Sequence, residues 1–152
     1  MSRARNESAT NPLATESLGS GDAATEHAIG KRLLVVEDNE LNMEIAEFML
    51  QNEGVVVTKA ADGRQAVDAF AASKPGDIDV ILMDVMMPVM DGLTATAEIR
   101  KFDPEIPIVA LTAHAFDTDQ LAALEAGCNE YLLKPIDKTK LMAVLRKYCH
   151  KP

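Results

Sequence analysis

The sequence predicts an α/β fold in which helices cover both faces of a five-stranded parallel sheet. Five short runs of apolar residues are unbroken, as in strands that are buried on both faces. Segments with apolar residues at helical spacing separate the runs, and this alternation favours parallel strands joined by right-handed crossovers. Polar residues directly follow most of the runs, so they mark the carboxyl ends of the strands.

The predicted strands are residues 31–36, 55–60, 78–83, 108–111 and 131–133. The third is the most distinctive, because the apolar run 80–83 is too short for a buried helix and stops abruptly at Asp84. Pro88 and the pair Asp91-Gly92 then break the chain before the next helical segment. We expect the spatial order 2-1-3-4-5, which places the switch point of the sheet between the first and third strands.

Local signals predict the ends of the first three helices. The first helix is capped by Asn39 and stops at Gly54. Its apolar residues at helical spacing are Leu41, Ile45, Phe48 and Met49. The second helix is predicted over residues 62–72 and the third over residues 93–101.

The last two helices also have capping signals. Asp117 with Gln120 is the expected capping pair of a fourth helix over residues 121–126, and Gly127 fits its carboxyl cap. Asp137 is expected to cap the fifth helix. The residues of that helix predicted to face inward are Leu141, Met142, Val144, Leu145 and Tyr148.

Length and composition indicate one domain with a separate leading segment. The chain has 152 residues, 47% of them hydrophobic, which is enough to bury the core of one domain. Residues 1–30 carry few bulky aliphatic side chains and show no period, so we expect a disordered tail or linker followed by a domain over residues 31–149. The two cysteines have no paired spacing and are expected to be reduced thiols.

The negative net charge argues against partners that are themselves anionic. A formal charge of -9 argues against broad binding to nucleic acid or to an anionic membrane surface. The sequence has neither an apolar stretch long enough for a membrane span nor a signal peptide. We expect a cytoplasmic domain, compatible with tethering to a membrane sensor in a longer protein.

Polar residues stand at the tips of four predicted strands: Glu37 and Asp38 after the first, Asp84 after the third, Thr112 after the fourth and Lys134 after the fifth. Each of these residues alone has an ordinary structural explanation: an acid at a strand end often caps the next helix, threonine is common in strands, and an isolated lysine is usually solvated. Carboxylates within ~4 Å of each other repel by about 4 kcal/mol at an effective dielectric near 20, so their convergence requires a cation. Mg²⁺ suits such oxygen ligands. We expect a site that accepts a phosphoryl group on Asp84.

Four sequence blocks lead to a family resemblance. They are Val-Val-Glu-Asp-Asn, Leu-Met-Asp-Val-Met-Met-Pro-Val-Met-Asp-Gly, Ile-Val-Ala-Leu-Thr-Ala and Tyr-Leu-Leu-Lys-Pro-Ile, in this order. With them, residues 31–148 resemble the receiver domain of two-component response regulators. The resemblance implies the flavodoxin-like (βα)5 receiver fold and a role in a phosphorelay, in which a phosphohistidine donates the phosphoryl group. It implies a switch that promotes its own phosphorylation and dephosphorylation rather than a turnover enzyme.

The resemblance also implies roles for the acidic residues. Asp84 would be the phosphoacceptor. Glu37, Asp38, Asp84 and the backbone carbonyl of Met86 would bind Mg²⁺ or Mn²⁺.

The remaining matching residues would act on the phosphoryl group. Thr112 and Lys134 would bind it, and the small side chain of Ala113 would leave the route to it open. Tyr131 matches the switch aromatic of the family, which turns inward when Thr112 moves toward the phosphate. The peptide bond between Lys134 and Pro135 would be cis.

Two positions near the site leave the phosphoryl lifetime undetermined. Met86 and His114 match positions that flank the site and vary within the family. A soft-metal site made of Met83, Met86, Met87 and Met90 is a weaker explanation of these methionines than packing.

Three rival functions remain open. A phosphatase of the haloacid dehalogenase class would need a second acid two residues after the nucleophile, where this chain has Met86. A flavodoxin-like cofactor binder would need a phosphate loop in place of Glu37-Asp38. A receiver-like domain that only docks partners would not need the complete set of site residues.

Two contexts are possible for a receiver. The run from Asp38 to Ala46 looks like receivers of hybrid sensor histidine kinases, and the linker-like segment before the domain agrees with this. The alternative is a stand-alone, single-domain response regulator. The expected partner is a histidine phosphotransfer domain or the dimerisation helices of the kinase. It would contact the first helix and the loops around Asp84, where Leu41 and Met87 offer apolar surface.

Overall fold

The computed structural model describes residues 30–87, 89–113 and 117–149 of the chain. The expected tail therefore lies, apart from Gly30, outside the described residues, and so does His114. No helix in the described ranges is both long enough and apolar enough to cross a bilayer.

Five strands alternate with five helices. In chain order they are β1 (Arg32–Val36), α1 (Glu40–Asn52), β2 (Val56–Ala60), α2 (Gly63–Ala72), β3 (Val80–Asp84), α3 (Gly92–Phe102), β4 (Ile108–Thr112), α4 (Asp117–Ala126), β5 (Glu130–Leu133) and α5 (Lys138–Cys149). All neighbouring strands are parallel, in the order β2-β1-β3-β4-β5, which confirms the predicted topology. Most element ends differ from the predicted ones by one or two residues, the usual uncertainty of such boundaries.

The sheet separates two apolar cores because successive strand residues point to opposite faces. Leu33 and Val35 of β1 pack with α1 and α5, whereas Leu34 and Val36 pack with α2, α3 and α4. Every residue of the central strand β3 is buried. Helices therefore cover both faces, and the loops at the carboxyl ends of the strands lie at one edge.

The stripe that predicts α1 is not the face that this helix buries. The residues that α1 buries against the sheet are Met43, Ala46 and Leu50. Three of the four residues in the predicting stripe are exposed, with exposed fractions of 64% for Leu41, 42% for Ile45 and 68% for Phe48, and Met49 is half-buried. Both stripes have helical spacing, so spacing alone could not show which one faces the core.

The capping predictions have mixed outcomes. Asn39 caps α1 as predicted, because its side chain accepts a hydrogen bond from the backbone N–H of Asn42. Gly127 follows α4 with φ +116, as a carboxyl cap requires. The predicted start of α4 is wrong, since the helix begins at Asp117. Asp117 and Gln120 thus lie within the first turn rather than ahead of the helix.

Candidate functional site

The site lies at the carboxyl edge of the sheet, where backbone hydrogen bonds hold the strand tips together. The N–H of Glu37 donates to the carbonyl of Ala60 on β2 at 3.0 Å. The N–H of Lys134 donates to the carbonyl of Thr112 at 2.8 Å, which joins the tips of β5 and β4. The parallel register places Asp84, the last residue of β3, opposite Leu111 of β4. The side chains that follow these strands are therefore held at fixed positions.

Three carboxylates meet at this edge. One carboxylate oxygen each from Glu37, Asp38 and Asp84 lies within 4.8 Å of the other two. Glu37 and Asp84 are buried, at 3% and 2% exposure, while Asp38 is exposed. This donor set consists of hard oxygen atoms with negative charge, which is the chemistry that Mg²⁺ and similar cations require.

Lys134 bridges the two buried acids. Its Nζ lies 2.8 Å from Oδ2 of Asp84 and 3.1 Å from Oε1 of Glu37. The peptide bond that follows, to Pro135, is cis. The cluster thus has one ammonium, in contact with Glu37 and Asp84, for three carboxylates, so it keeps a negative charge that a metal cation can neutralise.

Burial and the contacts between charged groups shift the pKa values of Asp84 and Lys134. Burial raises the pKa of Asp84 to about 6; the hydrogen bond from Lys134 opposes this rise and the charge of Glu37 adds to it. Burial also lowers the pKa of Lys134, but its hydrogen bonds to Asp84 and Glu37 outweigh that effect and raise the pKa overall. At neutral pH the site therefore contains an ionised Asp84 beside a charged Lys134.

Backbone groups also contact the acids. The N–H of Met86 donates to Oδ1 of Asp84 at 3.2 Å, and the N–H of Asn39 donates to Oε2 of Glu37 at 3.1 Å. The metal-binding role of the Met86 carbonyl stays a prediction. The Met86 side chain is 66% exposed and lines an open cleft with Asp38 and two further residues, Met87 and Asp91.

Two glycines, which the sequence analysis treated as loop and helix residues only, hold the loop after β3 in place. A Cβ on Gly92 would lie 2.1 Å from the backbone oxygen of Asp84, and a Cβ on Gly63 would lie 2.3 Å from that of Met90. The N–H of Gly92 donates to the carbonyl of Val85, and that of Gly63 to the carbonyl of Met90, both at 3.0 Å. In the sequence, the pair Asp91-Gly92 indicates a turn, but it does not indicate that Gly92 lies against the backbone oxygen of Asp84.

The other predicted site residues differ in how near they lie to the three acids. Thr112 ends β4 beside the site and is 5% exposed, and Ala113 after it is exposed. Tyr131 pairs with Ala110 in the sheet and packs, half-buried, against the core below α2, α3 and α4. The structure therefore brings Lys134 into direct contact with the acids, whereas Tyr131 lies in the adjoining core.

Comparisons with known proteins agree on one family. The model of the response regulator receiver domain matches residues 33–146. Hybrid signal transduction histidine kinase I of Dictyostelium discoideum is 38% identical over 143 residues, which are 89% of this chain and 8% of that protein. The chain thus spans a small part of this relative.

Two solved structures are similar in sequence and fold. One is the receiver domain of a sensor histidine kinase from Pseudomonas aeruginosa PAO1, with a magnesium ion coordinated in its active-site cleft. It is 41% identical, with a TM-score of 0.74, and the match covers 80% of this chain and 99% of that one. The other is the receiver domain of the Saccharomyces cerevisiae response regulator Ssk1, co-crystallised with the histidine phosphotransfer signaling protein Ypd1. It is 30% identical, with a TM-score of 0.73, over 78% of this chain and 88% of that one.

Proposed function

This chain belongs to the response regulator receiver domain family of two-component signalling, and on that basis we propose that it accepts a phosphoryl group on Asp84 from a phosphohistidine. The observation that supports this most directly is the buried Asp84 carboxylate, with Lys134 Nζ at 2.8 Å and two further carboxylates beside it. A buried, ionised acid at a strand tip has the position and the charge of a nucleophile.

Glu37, Asp38, Asp84 and the backbone carbonyl of Met86 would hold Mg²⁺ or Mn²⁺. The three converging carboxylates fit such an ion, and the magnesium in the similar Pseudomonas receiver supports the assignment. When bound, the ion neutralises negative charge on the acids and on the oxygens of the phosphoryl group.

In the transfer step an oxygen of Asp84 forms a bond to phosphorus while the bond from phosphorus to the donor imidazole nitrogen breaks. The electron pair of the broken bond stays on that nitrogen. Asp84 must be ionised to attack, and with a pKa of about 6 it is ionised at neutral pH. Lys134 holds Oδ2 of Asp84 in place and lies where negative charge on the phosphoryl oxygens would develop.

Thr112 and Tyr131 would turn phosphorylation into a conformational change. The Thr112 hydroxyl and Lys134 would bind the phosphoryl oxygens, with exposed Ala113 leaving access to them. Thr112 would then move toward the phosphate, and Tyr131 would turn inward. The direct backbone bond between Thr112 and Lys134 supports a coupling between the tips of β4 and β5.

The phosphodonor would dock on α1. Leu41, Ile45 and Phe48 form an exposed apolar stripe on this helix, and Met87 lies in the loop after β3. Apolar side chains of this kind lose their contact with water when a partner binds and form the centres of protein interfaces. The co-crystal of the similar Ssk1 receiver with Ypd1 supports a histidine phosphotransfer domain as partner, and the dimerisation helices of a kinase are the other candidate.

We further assign the domain to the receiver part of a hybrid histidine kinase, with residues 1–30 as a linker. The similarity to a kinase of which this chain matches 8% supports this context. Phosphotransfer assays test it: preference for a free cognate kinase over any phosphotransfer domain would contradict the hybrid assignment and favour a stand-alone regulator.

Intact mass measurement after incubation with acetyl phosphate and Mg²⁺ tests the acceptor itself. The wild-type chain is expected to gain one phosphoryl group, while Asp84→Asn and a magnesium-free sample gain none. Uptake by Asp84→Asn would exclude Asp84 as the acceptor. Sustained hydrolysis of an aryl phosphate, with many turnovers per chain, would favour a phosphatase instead.

A further inference from the structure

Helix α4 has little apolar contact with the rest of the domain. Among its described side chains, residues 120–126, only Ala123 is fully buried. Leu121 and Leu124 are 55% and 46% exposed. Because Ala123 buries a single methyl group and both leucines are about half exposed, apolar packing of these residues contributes little to the stability of α4.

The carboxyl end of α4 is held instead by the guanidinium of Arg100, near the end of α3. Nε and Nη2 of Arg100 donate to the carbonyl of Gly127 at 3.0 and 2.8 Å. Nη2 also donates to Oδ1 of Asn129 at 2.9 Å, and Nη1 donates to the carbonyl of Asp103 at 3.1 Å. A guanidinium presents these donors in one rigid plane, so the loop between α4 and β5 has a fixed position relative to α3.

The same loop closes the helix. The N–H of Gly127 donates to the carbonyl of Leu124, and the N–H of Cys128 to that of Ala123, both at 3.0 Å. This is the hydrogen-bond pattern of a Schellman motif, with its glycine at φ +116. A Cβ on Gly127 would lie 3.0 Å from Cγ of Arg100, so the cap and the arginine are tightly packed.

The carboxyl end of α4 is held at the edge of the sheet opposite to the carboxylate site. The N–H of Ile108, the first residue of β4, donates to Oδ1 of Asn129 at 2.9 Å, and the N–H of Asn129 donates to the Ile108 carbonyl at 2.8 Å. Thr112 stands at the opposite end of the same strand, and the amino end of α4 follows it. Helix α4 thus begins after the site and ends at bonds made at the other edge of the sheet.

We propose that Arg100 is a positioning residue that keeps the carboxyl end of α4 fixed when Asp84 is phosphorylated. The helix then pivots about Gly127, so its displacement is largest in its amino-terminal half and smallest at its carboxyl end. The assignment rests on the proposed function, since phosphorylation supplies the change at Thr112. The difference between the two ends supports it. The guanidinium makes three hydrogen bonds to the loop at the carboxyl end of α4, whereas Ala123 is the one fully buried side chain among residues 120–126.

Amide hydrogen exchange on the wild-type chain tests the pivot without any substitution. Exchange is followed by NMR with and without excess acetyl phosphate and Mg²⁺, and intact mass confirms uptake. Phosphorylation is expected to change the exchange rates of the Leu121 and Ala122 amides by about tenfold, and those of Gly127 and Cys128 by less than about twofold. Equal changes at both ends would overturn the pivot alone. A chain that takes up no phosphoryl group would overturn the proposed function and the pivot together.

Arg100→Lys tests the arginine itself, because lysine keeps the charge but loses the planar set of donors. In this variant, phosphorylation is expected to raise exchange at Gly127 and Cys128 by about tenfold as well, while the rate of phosphoryl uptake is unchanged. A purely structural role would raise exchange equally with and without the phosphoryl group. Arg64→Lys on α2, where the arginine contacts only Asp68 at 3.4 Å among the ion pairs of the described residues, is the matched control. If phosphorylation of the Arg100→Lys chain changes amide exchange only in the amino-terminal half of α4, the assignment is refuted.

Discussion

Replacing Asp84 with asparagine is expected to stabilise the unphosphorylated, metal-free domain at neutral pH. Burial raises the pKa of Asp84 from 3.8 to about 6, so ionising this carboxyl in the folded state is costly. The gap of about 2.2 between these values corresponds to about 3 kcal/mol of unfolding free energy. Asparagine has nearly the same shape and still offers an oxygen to Lys134, but it carries no charge.

The effect must depend on pH with a definite sign. Below pH 3.8 the carboxyl is protonated in both the folded and the unfolded state, so it does not lower the free energy of unfolding. Between pH 3.8 and 6 the folded state binds more protons, so the stability of the wild type falls as pH rises. Above pH 6 the full loss of about 3 kcal/mol is present. Asp84→Asn removes this dependence.

Urea unfolding followed by circular dichroism, in EDTA from pH 4 to pH 8, measures the difference. Asp84→Asn is expected to exceed the wild type by about 3 kcal/mol at pH 7.5, and the difference should close as the pH falls below 6. Asp68→Asn, at an exposed position on α2, is the matched control and should show no such dependence. A variant that is less stable than the wild type at pH 7.5, or a difference that does not vary with pH, would refute the reasoning.

Three further substitutions have defined outcomes. Lys134→Gln leaves Glu37 and Asp84 without their ammonium; because Lys134 is 22% exposed, the expected loss in EDTA is about 2 kcal/mol, and added Mg²⁺ should reduce the deficit in urea unfolding. A deficit that Mg²⁺ leaves unchanged would contradict this. Gly92→Ala puts a Cβ 2.1 Å from the Asp84 oxygen and should cost about 2 to 3 kcal/mol, so an unaltered urea midpoint would argue against the close approach. Val89 has φ +69 and is 83% exposed, so Val89→Asn should raise the urea midpoint through a gain of about 1 kcal/mol, and a lower midpoint would count against the strained backbone.

The meeting of Glu37, Asp38, Asp84 and Lys134 could be predicted because the rule behind it needs only chain order. Parallel strands share one carboxyl edge, so residues that directly follow them converge whatever the details of packing. The structure brings these four together, while their roles in phosphoryl transfer stay predictions. Strand order was predictable because the regular alternation of strands and helices is typical of doubly wound parallel sheets, in which this order is common.

Features that depend on distances between remote segments could not be predicted. The sequence of α1 contains two apolar stripes, and only the packed structure shows that Ala46 lies inside while Phe48 lies outside. Gly92 signals a turn, but its contact with the Asp84 backbone depends on how two loops fold against each other. The contacts of Arg100 join residues 27 and 29 positions apart, which no local pattern encodes.

The bridge from Lys134 to Asp84 spans 50 positions of sequence, and this spacing matters while the protein is being made. Chains leave the ribosome amino end first, so the acids are translated well before their counter-ion. A nascent domain that still lacks β5 would hold its carboxylates without the lysine that balances them. The charge arrangement at the sheet edge can therefore be completed only after Lys134 has been translated.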